Sequence, residues 1–195
     1  MAELASRDAP DRLEVVRAFV NTRDLEAGTD ALATPGDLAK HLVAWQLLPE
    51  HGRLAPADLR LAVELREALR TLLRSHNGQR VETGPATDLL NRITALAGLS
   101  PAMTYSGTVS YHAARGGGIG ALGALVAIVY TGEAQGTWGR LKACASEACH
   151  WAYYDTSRNR ASRWCHMQLC GNRAKAQTFR ARHSGSPLPT PPPGS

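Results

Sequence analysis

The chain has 195 residues, of which 44% are apolar and 20% charged, and a formal net charge of +5. This composition excludes global disorder and provides enough chain for one hydrophobic core with a small appended module. The longest apolar candidate, 119–130, is interrupted by glycine and is shorter than the ~18 apolar residues of a membrane-spanning helix. Residues 1–20 mix charged with apolar side chains, unlike a secretory signal. We therefore expect a cytoplasmic protein without a membrane partner.

Positive charge and cysteine are concentrated in the same segment. Residues 140–183 contain nine basic and two acidic side chains, a net charge of +7, whereas the rest of the chain has a net charge of −2. All four cysteines also lie there. A neutral to acidic body with a small basic module is typical of a protein whose module binds a polyanion.

The first two predicted helices have clear sequence signals. Apolar residues recur at helical spacing over 12–24, which predicts the first helix. Thr34, Pro35 and Asp37 then form an N-cap signature, with proline at the first helical position. The apolar face that follows predicts that this second helix continues to Pro49.

Two further helices complete the predicted body. One begins at Pro56 and carries a leucine stripe, with arginines largely off that stripe: Arg60, Arg66, Arg70 and Arg74. After a turn at Asn77-Gly78, the residues 89–96 predict a fourth helix.

A change of pattern over 102–113 predicts one or two short strands around Ser106-Gly107. The glycines at 116–118 precede an apolar helix over 119–129. Residues 118–123 match the G-x-G-x-x-G pattern of dinucleotide sites. Because no βαβ unit or suitably placed acidic residue accompanies them, we interpret Gly120 and Gly123 as helix-packing residues.

The four cysteines have the spacing of a metal site. Cys144, Cys149, Cys165 and Cys170 form the pattern C-x4-C-x15-C-x4-C. Two equally spaced pairs can direct four thiolates at one tetrahedral Zn²⁺ ion, one per chain. Four protein ligands close the coordination shell, so we expect a structural and not a catalytic zinc. Below the site, Trp151, Tyr153 and Trp164 would form a small apolar floor.

Other interpretations of the cysteines remain open. They could form two disulfides, which a reducing cytosol disfavours, or remain as four buried thiols. His150 and His166 each follow a cysteine directly and could replace it as a ligand. Adjacent residues rarely face the same metal ion, so we expect these histidines to be polar neighbours of the site.

The C-terminal module resembles the CGNR zinc finger. The resemblance covers about 141–183 and rests on Cys170-Gly171-Asn172-Arg173, on Trp164-Cys165-x-Met167 and on the segment 155–159. The family resemblance implies a zinc-dependent DNA-binding module. In the motif, Gly171 would let the backbone turn without a Cβ clash, and Asn172 could cap the following helix.

The N-terminal body resembles the ABATE domain of bacterial stress-induced transcriptional regulators. The similarity rests on Phe19-Val20-Asn21-Thr22, on the helix around 37–48 and on the Leu-Arg-Glu-Ala-Leu-Arg run at 65–70. We therefore expect an α+β protein. Its parts are a mostly helical sensor domain with a short β-hairpin over 1–136, a zinc finger of hairpin plus helix over 137–183, and a disordered Pro-rich tail over 184–195.

Six basic side chains of the module and one asparagine are the candidate nucleic-acid contacts: Arg158, Asn159, Arg160, Arg163, Arg173, Lys175 and Arg180. Those between the cysteine pairs could clamp phosphates, and those after Cys170 could also reach base edges. Arg173 could instead neutralise the zinc-thiolate cluster. Double-stranded DNA is the expected partner. One finger offers few base contacts, so we also expect a homodimer.

Other functions are compatible with the same residues. The finger could bind RNA or a protein, or its thiolates could form a redox switch that releases zinc. The body could bind a small molecule or a partner. Scattered single histidines, His41, His51, His76 and His112, and the lack of a catalytic constellation predict that the protein is not an enzyme.

Overall fold

The computed structural model describes residues 8–183, with side chains through residue 180; the predicted tail at 184–195 lies outside this range. The predicted α+β class is confirmed. The helices are α1 (Leu13–Val20), α2 (Pro35–Ala44), α3 (Pro56–His76), α4 (Gly84–Ala97), α5 (Gly117–Ala134) and α6 (Asn172–His183). The strands are β1 (Arg23–Asp24), β2 (Thr29–Asp30), β3 (Leu99–Met103), β4 (Val109–Ala113), β5 (Leu141–Ala143) and β6 (Ala152–Tyr154). A 3₁₀ turn, Trp138–Arg140, precedes β5, and a π-helical turn, Met167–Gly171, precedes α6.

Helix α2 begins where the sequence predicts and ends earlier. The Thr34 hydroxyl accepts a hydrogen bond from the Asp37 backbone N–H at 3.1 Å, and the Asp37 carboxylate accepts one from the Thr34 N–H, also at 3.1 Å. The expected continuation to Pro49 is wrong. Gln46 has φ +59, and the Leu47 and Leu48 N–H groups both donate to the Leu42 carbonyl, so the chain turns back directly after the helix.

Helix α5 is the central core helix of the body and packs against α1, α3 and α4. A Cβ on Gly123 would lie 2.5 Å from the Ala97 Cβ of α4, and a Cβ on Gly120 would collide with the Arg115 carbonyl. The glycines therefore permit close packing, as predicted. Among the described residues, only α5 is long and apolar enough to cross a membrane, but 61% of it is buried inside the protein, as in an ordinary core helix.

Two arginines of α3 are buried, whereas the sequence pattern predicts that the arginines of this helix lie largely outside its apolar stripe. Arg66 is 1% exposed, and its Nη1 and Nη2 atoms donate to the two Asp30 carboxylate oxygens at 2.7 and 2.8 Å. Burial tends to raise the pKa of Asp30, but the hydrogen bonds and charge of Arg66, together with hydrogen bonds from the Leu32 N–H and Arg23, lower it overall. Arg70 is 3% exposed and donates to backbone carbonyls, including those of Val20 and His150. A charge is tolerated in the core because each guanidinium is saturated by acceptors.

The three sheets are separate two-stranded antiparallel hairpins: β1 with β2, β3 with β4, and β5 with β6. In the third, Leu141 lies opposite Tyr154 and Ala143 opposite Ala152. Leu141, Ala143 and Ala152 are fully buried in the same core cluster as the leucines of α1 and α3. The cysteine-bearing hairpin thus shares the hydrophobic core of the body. The boundary between 136 and 137 stays a prediction.

The buried pair of Asp30 and Arg66 generates a stability prediction. Asp30→Asn keeps the side-chain shape but leaves the buried Arg66 cation with only the more exposed Glu67 carboxylate, 2.9 Å from its Nε, as a countercharge. We expect a loss of about 2–3 kcal/mol in the free energy of unfolding, less than the about 3–5 kcal/mol of fully buried pairs, because Asp30 is 25% exposed. Chemical denaturation measures this loss. The exposed Asp88→Asn on α4 is the matched control and should change stability by less than about 0.5 kcal/mol. A loss no larger than the control's would contradict the assignment.

His76, at the end of α3, generates a pH prediction. Its Nδ1 donates to the Leu141 carbonyl at 2.8 Å, its ring packs edge-on against Trp138, and burial lowers its pKa. Below about pH 6.5 the unfolded chain binds the proton more readily than the folded chain, so stability falls as the pH decreases, by at most about 1.4 kcal/mol per pH unit. Urea denaturation at pH 7.5 and 5.5 should show a smaller pH-dependent loss in His76→Gln than in the parent protein. An identical loss in both would contradict this.

Candidate metal centre and basic surface

The four cysteine sulfurs form one cluster. All four Sγ atoms lie within 4.8 Å of one another, with 3.7 Å from Cys149 to Cys165 and 3.8 Å from Cys165 to Cys170. A tetrahedron with metal–sulfur bonds of about 2.3 Å has sulfur–sulfur edges of about 3.8 Å. A disulfide would need about 2.05 Å, and all four cysteines are free. The cluster therefore fits a tetrahedral metal ion, and the disulfide alternative does not agree with the structure.

The protonation of the thiols also favours a cation. Hydrogen bonds from the thiols of Cys149 and Cys165 lower the pKa of Cys144 to about 2, and the contact with Cys144 raises the pKa of Cys149 to about 12. The pKa of Cys165 is raised by its hydrogen bond to Cys144, and that of Cys170 by burial. One thiolate forms easily, and its negative charge opposes the formation of each further thiolate. Deprotonation of all four, as metal ligation requires, thus needs a positive ion between them.

Backbone turns on either side of the centre place the two cysteine pairs. The first pair follows β5: the Cys144 N–H donates to the Trp151 carbonyl, and the N–H groups of Cys149 and His150 both donate to the Ser146 carbonyl. His150 completes this loop with φ +46. At the second pair, the Gly171 N–H donates to the His166 carbonyl at 3.2 Å. A donor and an acceptor separated by five residues are characteristic of a π-helical turn.

The residues after Cys170 differ from one expectation. Asn172 has helical angles, φ −69 and ψ −38, so it continues the π-helical turn into α6 and does not cap a new helix. The expected cap is wrong because the helical path already begins at Met167. Gly171 acts by its small size: a Cβ there would collide with the Met167 sulfur and lie 3.2 Å from Trp164.

The predicted aromatic floor and the histidine neighbours are both located at the cluster. Trp151 and Trp164 pack against the buried cysteines as predicted, whereas Tyr153 is buried and donates from its hydroxyl to the Ser162 carbonyl. Within the described residues, the candidate ligand group contains only the four cysteines. His150 Nε2 and His166 Nδ1 are buried there without a hydrogen-bond partner in the described part of the chain.

Asn77 positions both halves of the centre and was missed by the sequence reasoning, which assigned it only to a turn. Its side-chain Nδ2 donates to the Ala143 carbonyl at 2.7 Å and to the Arg163 carbonyl at 2.8 Å. These carbonyls precede Cys144 by one residue and Cys165 by two. One amide at the end of α3 therefore holds the two ligand-bearing segments together.

Two more residues of the body anchor the cysteine-bearing hairpin. The Asn21 side chain accepts from the Ala152 N–H at 2.7 Å and donates to the Ala152 carbonyl at 2.9 Å, as a neighbouring strand would. Arg70 donates to the His150 carbonyl at 3.0 Å. Both residues lie in segments on which the resemblance of the body to its family rests, 19–22 and 65–70. That resemblance was the sequence feature that pointed to them.

A buried ion pair organises the basic loop between the cysteine pairs. Lys142 is 4% and Asp155 0% exposed, with 2.8 Å from the Lys142 Nζ to the carboxylate. Asp155 also accepts from the N–H groups of Ser157 and Ser162. Burial raises the pKa of Asp155, but the hydrogen bonds from Lys142 and Ser157 and the charge of Lys142 lower it, with a net decrease. Lys142 contributes to the sequence charge but is not available to an external polyanion.

The candidate nucleic-acid residues are all exposed: Arg158, Asn159, Arg160, Arg163, Arg173, Lys175 and Arg180. The first four lie on the loop built around Asp155, and the other three lie on α6. Arg163 stacks over the Trp164 ring at 5.8 Å. Arg173 forms an ion pair with Glu26 of the body at 2.5 Å. Its hydrogen bond to Glu26 raises its pKa, with smaller contributions from the thiols of Cys170 and Cys149.

Two family models match the chain. The model ABATE, described as "Putative stress-induced transcription regulator", matches residues 13–143, about two thirds of the chain. The model described as CGNR zinc finger matches residues 140–183. A search of curated proteins finds no match. Both resemblances are thereby confirmed. The matches overlap at 140–143, which includes β5, in agreement with a hairpin shared by the body and the finger.

The position of Asn77 generates a prediction about metal affinity. Asn77→Ala removes the amide that holds both ligand-bearing segments, so we expect Zn²⁺ to bind about 10–100-fold more weakly. Competition with a chromophoric chelator measures the affinity, and circular dichroism checks that the helices are retained. The exposed Asn91→Ala on α4 is the matched control. An affinity for Asn77→Ala within twofold of the control would contradict the positioning role.

Proposed function

The chain belongs to the ABATE family, whose model is described as "Putative stress-induced transcription regulator", and on that premise we propose that it is a zinc-dependent regulator that binds double-stranded DNA. In this proposal the finger contacts DNA and the helical body receives a signal from a ligand or partner. The protein acts in the cytoplasm by binding and performs no catalysis. The observation that carries the proposal is an exposed basic surface built directly on the four-cysteine centre.

Zinc is the proposed ion, one per chain. Four soft thiolates in a tetrahedron are typical of structural zinc, and the family name of the finger agrees with this choice. Four protein ligands leave no coordination position for water or substrate. The ion would hold the loop and α6 in fixed relation, and so fix the positions of the basic side chains.

The basic surface has the features of a phosphate-binding site. Its arginines and Lys175 are exposed, while the nearby charges of Lys142 and Asp155 neutralise each other inside the protein. The loop from Arg158 to Arg163 is held by the contacts of Asp155 with Ser157 and Ser162 and needs little ordering on binding. We propose that the loop contacts phosphates, while α6 reaches the groove. Because one finger offers few base contacts, binding as a homodimer is part of the proposal.

A second candidate function is binding of single-stranded RNA. It is favoured by one observation, the position of Phe179 on the basic helix α6, where the residue is 62% exposed. Bases of single strands stack on such rings, whereas a duplex hides its bases. Both functions would use the same arginines, so only the choice of nucleic acid separates them.

The test starts from a random duplex library bound to the zinc-loaded protein at near-physiological salt. Enrichment of a common sequence supports the DNA regulator. The Cys165→Ser protein, which lacks a ligand, should enrich nothing. Weak recovery without a common sequence, together with tighter binding of single-stranded RNA of random sequence, would replace the DNA proposal by the RNA one.

The contacts themselves are tested by salt dependence. Arg158→Ala and Lys175→Ala should each lower the slope of log affinity against log salt by about 1, because each removes one phosphate contact. Fluorescence anisotropy with the selected duplex measures the slope. Arg92→Ala is the control, since Arg92 is an exposed arginine of α4 outside the finger. A slope equal to the control's in both variants would refute the assigned surface.

A further inference from the structure

A half-open cavity of about 360 Å³ lies on the body, away from the cysteines. It is enclosed by the start of α1, the C-terminal half of α5, strand β4 and the turn after α2. Apolar side chains form most of its wall, namely those of Leu13, Leu47, Val109, Ala127 and Ile128. Its volume is at the lower end of the range of about 300–1,000 Å³ for small-molecule sites. The size suits a small organic molecule.

The cavity exists because α5 presents small residues on this side. Ala124, Ala127 and Gly132 leave space that larger side chains would fill. Opposite them, Val109 is 51% exposed although it belongs to a strand that packs against α5. The result is an apolar recess with one wall open to solvent, in which a bound apolar group would cover Val109.

One of the residues that line the cavity is a cation, Arg12. The Arg12 guanidinium donates from Nη1 to the Trp45 carbonyl at 3.2 Å, and within residues 8–183 it forms no ion pair with a carboxylate. Its other N–H groups remain for a ligand, in the planar arrangement that matches a carboxylate. Asp11 also lines the cavity. An amine is therefore the competing ligand chemistry, and the experiment must separate the two.

We propose that this cavity binds a small amphipathic organic anion, with its apolar part against α5 and its carboxylate paired with Arg12. Only the biological role of this ligand rests on the proposed function, because such a molecule would be the signal that the body receives. The binding itself does not depend on DNA.

The cavity is lined by α1 and α5. Helix α1 contacts the cysteine-bearing hairpin, and α5 precedes it along the chain. Leu13 belongs to α1, and directly after α1 the Asn21 side chain pairs with the Ala152 backbone. Gly132 belongs to α5, and a Cβ on it would lie 3.6 Å from the Trp138 Cβ, just before β5. A ligand that shifts either helix therefore acts on the hairpin that carries Cys144.

Octanoate is the probe, titrated into the ¹⁵N-labelled, zinc-loaded full-length chain. We expect saturable shifts at the amides of Leu13, Thr131 and Gly132, and weaker binding of octylamine and octan-1-ol. Arg12→Gln should weaken octanoate binding at least about tenfold, because it removes a charge-assisted pair. Arg92→Gln is the matched control and should bind like the parent. Ala124→Leu, which enlarges a side chain of the cavity wall, should abolish the shifts, and the spectra show whether each variant is folded.

Several outcomes would overturn the proposal. No saturable octanoate shift, shifts at other amides, or octylamine binding as tightly as octanoate would each do so. A variant lacking residues 1–7 tests whether that segment is the occupant: octanoate binding that occurs only in this variant would also overturn the proposal. Lys175→Ala, which tests the DNA surface, should bind octanoate normally, so failure at the cavity and failure of DNA binding can be told apart.

Discussion

The burial of strand β5 between α3 and the cysteine cluster is the constraint on which the rest of the structure depends. A three-residue strand with one partner is not stable alone in water. It is stabilised by the body, because Leu141 and Ala143 lie in the main core and their carbonyls accept hydrogen bonds from His76 and Asn77. Cys144 is the next residue, so the first metal ligand is placed by the core of the helical body.

The cationic side chains of this protein have two separate roles, one in the core and one on the surface. Arg66, Arg70 and Lys142 are buried and saturated by carboxylates or backbone carbonyls, where they fix the positions of β1, β2, the hairpin and the basic loop. Within the described part of the C-terminal segment, the exposed cations lie on that loop and on α6. Arg173 combines the two roles, because it is an exposed residue of α6 and yet pairs with Glu26 of the body. The net charge of the segment therefore overstates the charge that a polyanion meets.

The sequence predicts those features that local spacing determines. Thr34 and Asp37 specify the start of α2, the glycines specify the close packing of α5, and the cysteine spacing specifies a common centre. The features it does not predict depend on contacts between distant residues. Asn21 and Ala152 are 131 positions apart, and Asn77 and Arg163 are 86 apart. The burial of Arg66 likewise depends on Asp30, 36 positions away, and a helical pattern alone places such an arginine in solvent. The end of α2 and the helical state of Asn172 were missed because a local backbone turn overrides the apolar or capping pattern.

The shared hairpin has a thermodynamic consequence for the whole chain. In a finger that folds alone, metal binding stabilises only the finger. Here the segments that carry Cys144, Cys149 and Cys165 are held by Asn77, Arg70 and Asn21, so opening the centre would leave their amide and guanidinium groups without acceptors inside the body. Because unpaired buried polar groups are costly, metal binding and the packing of α1 and α3 must favour each other. Such coupling is reciprocal: whatever stabilises the arrangement of the body raises the affinity of the cysteines for metal by the same factor.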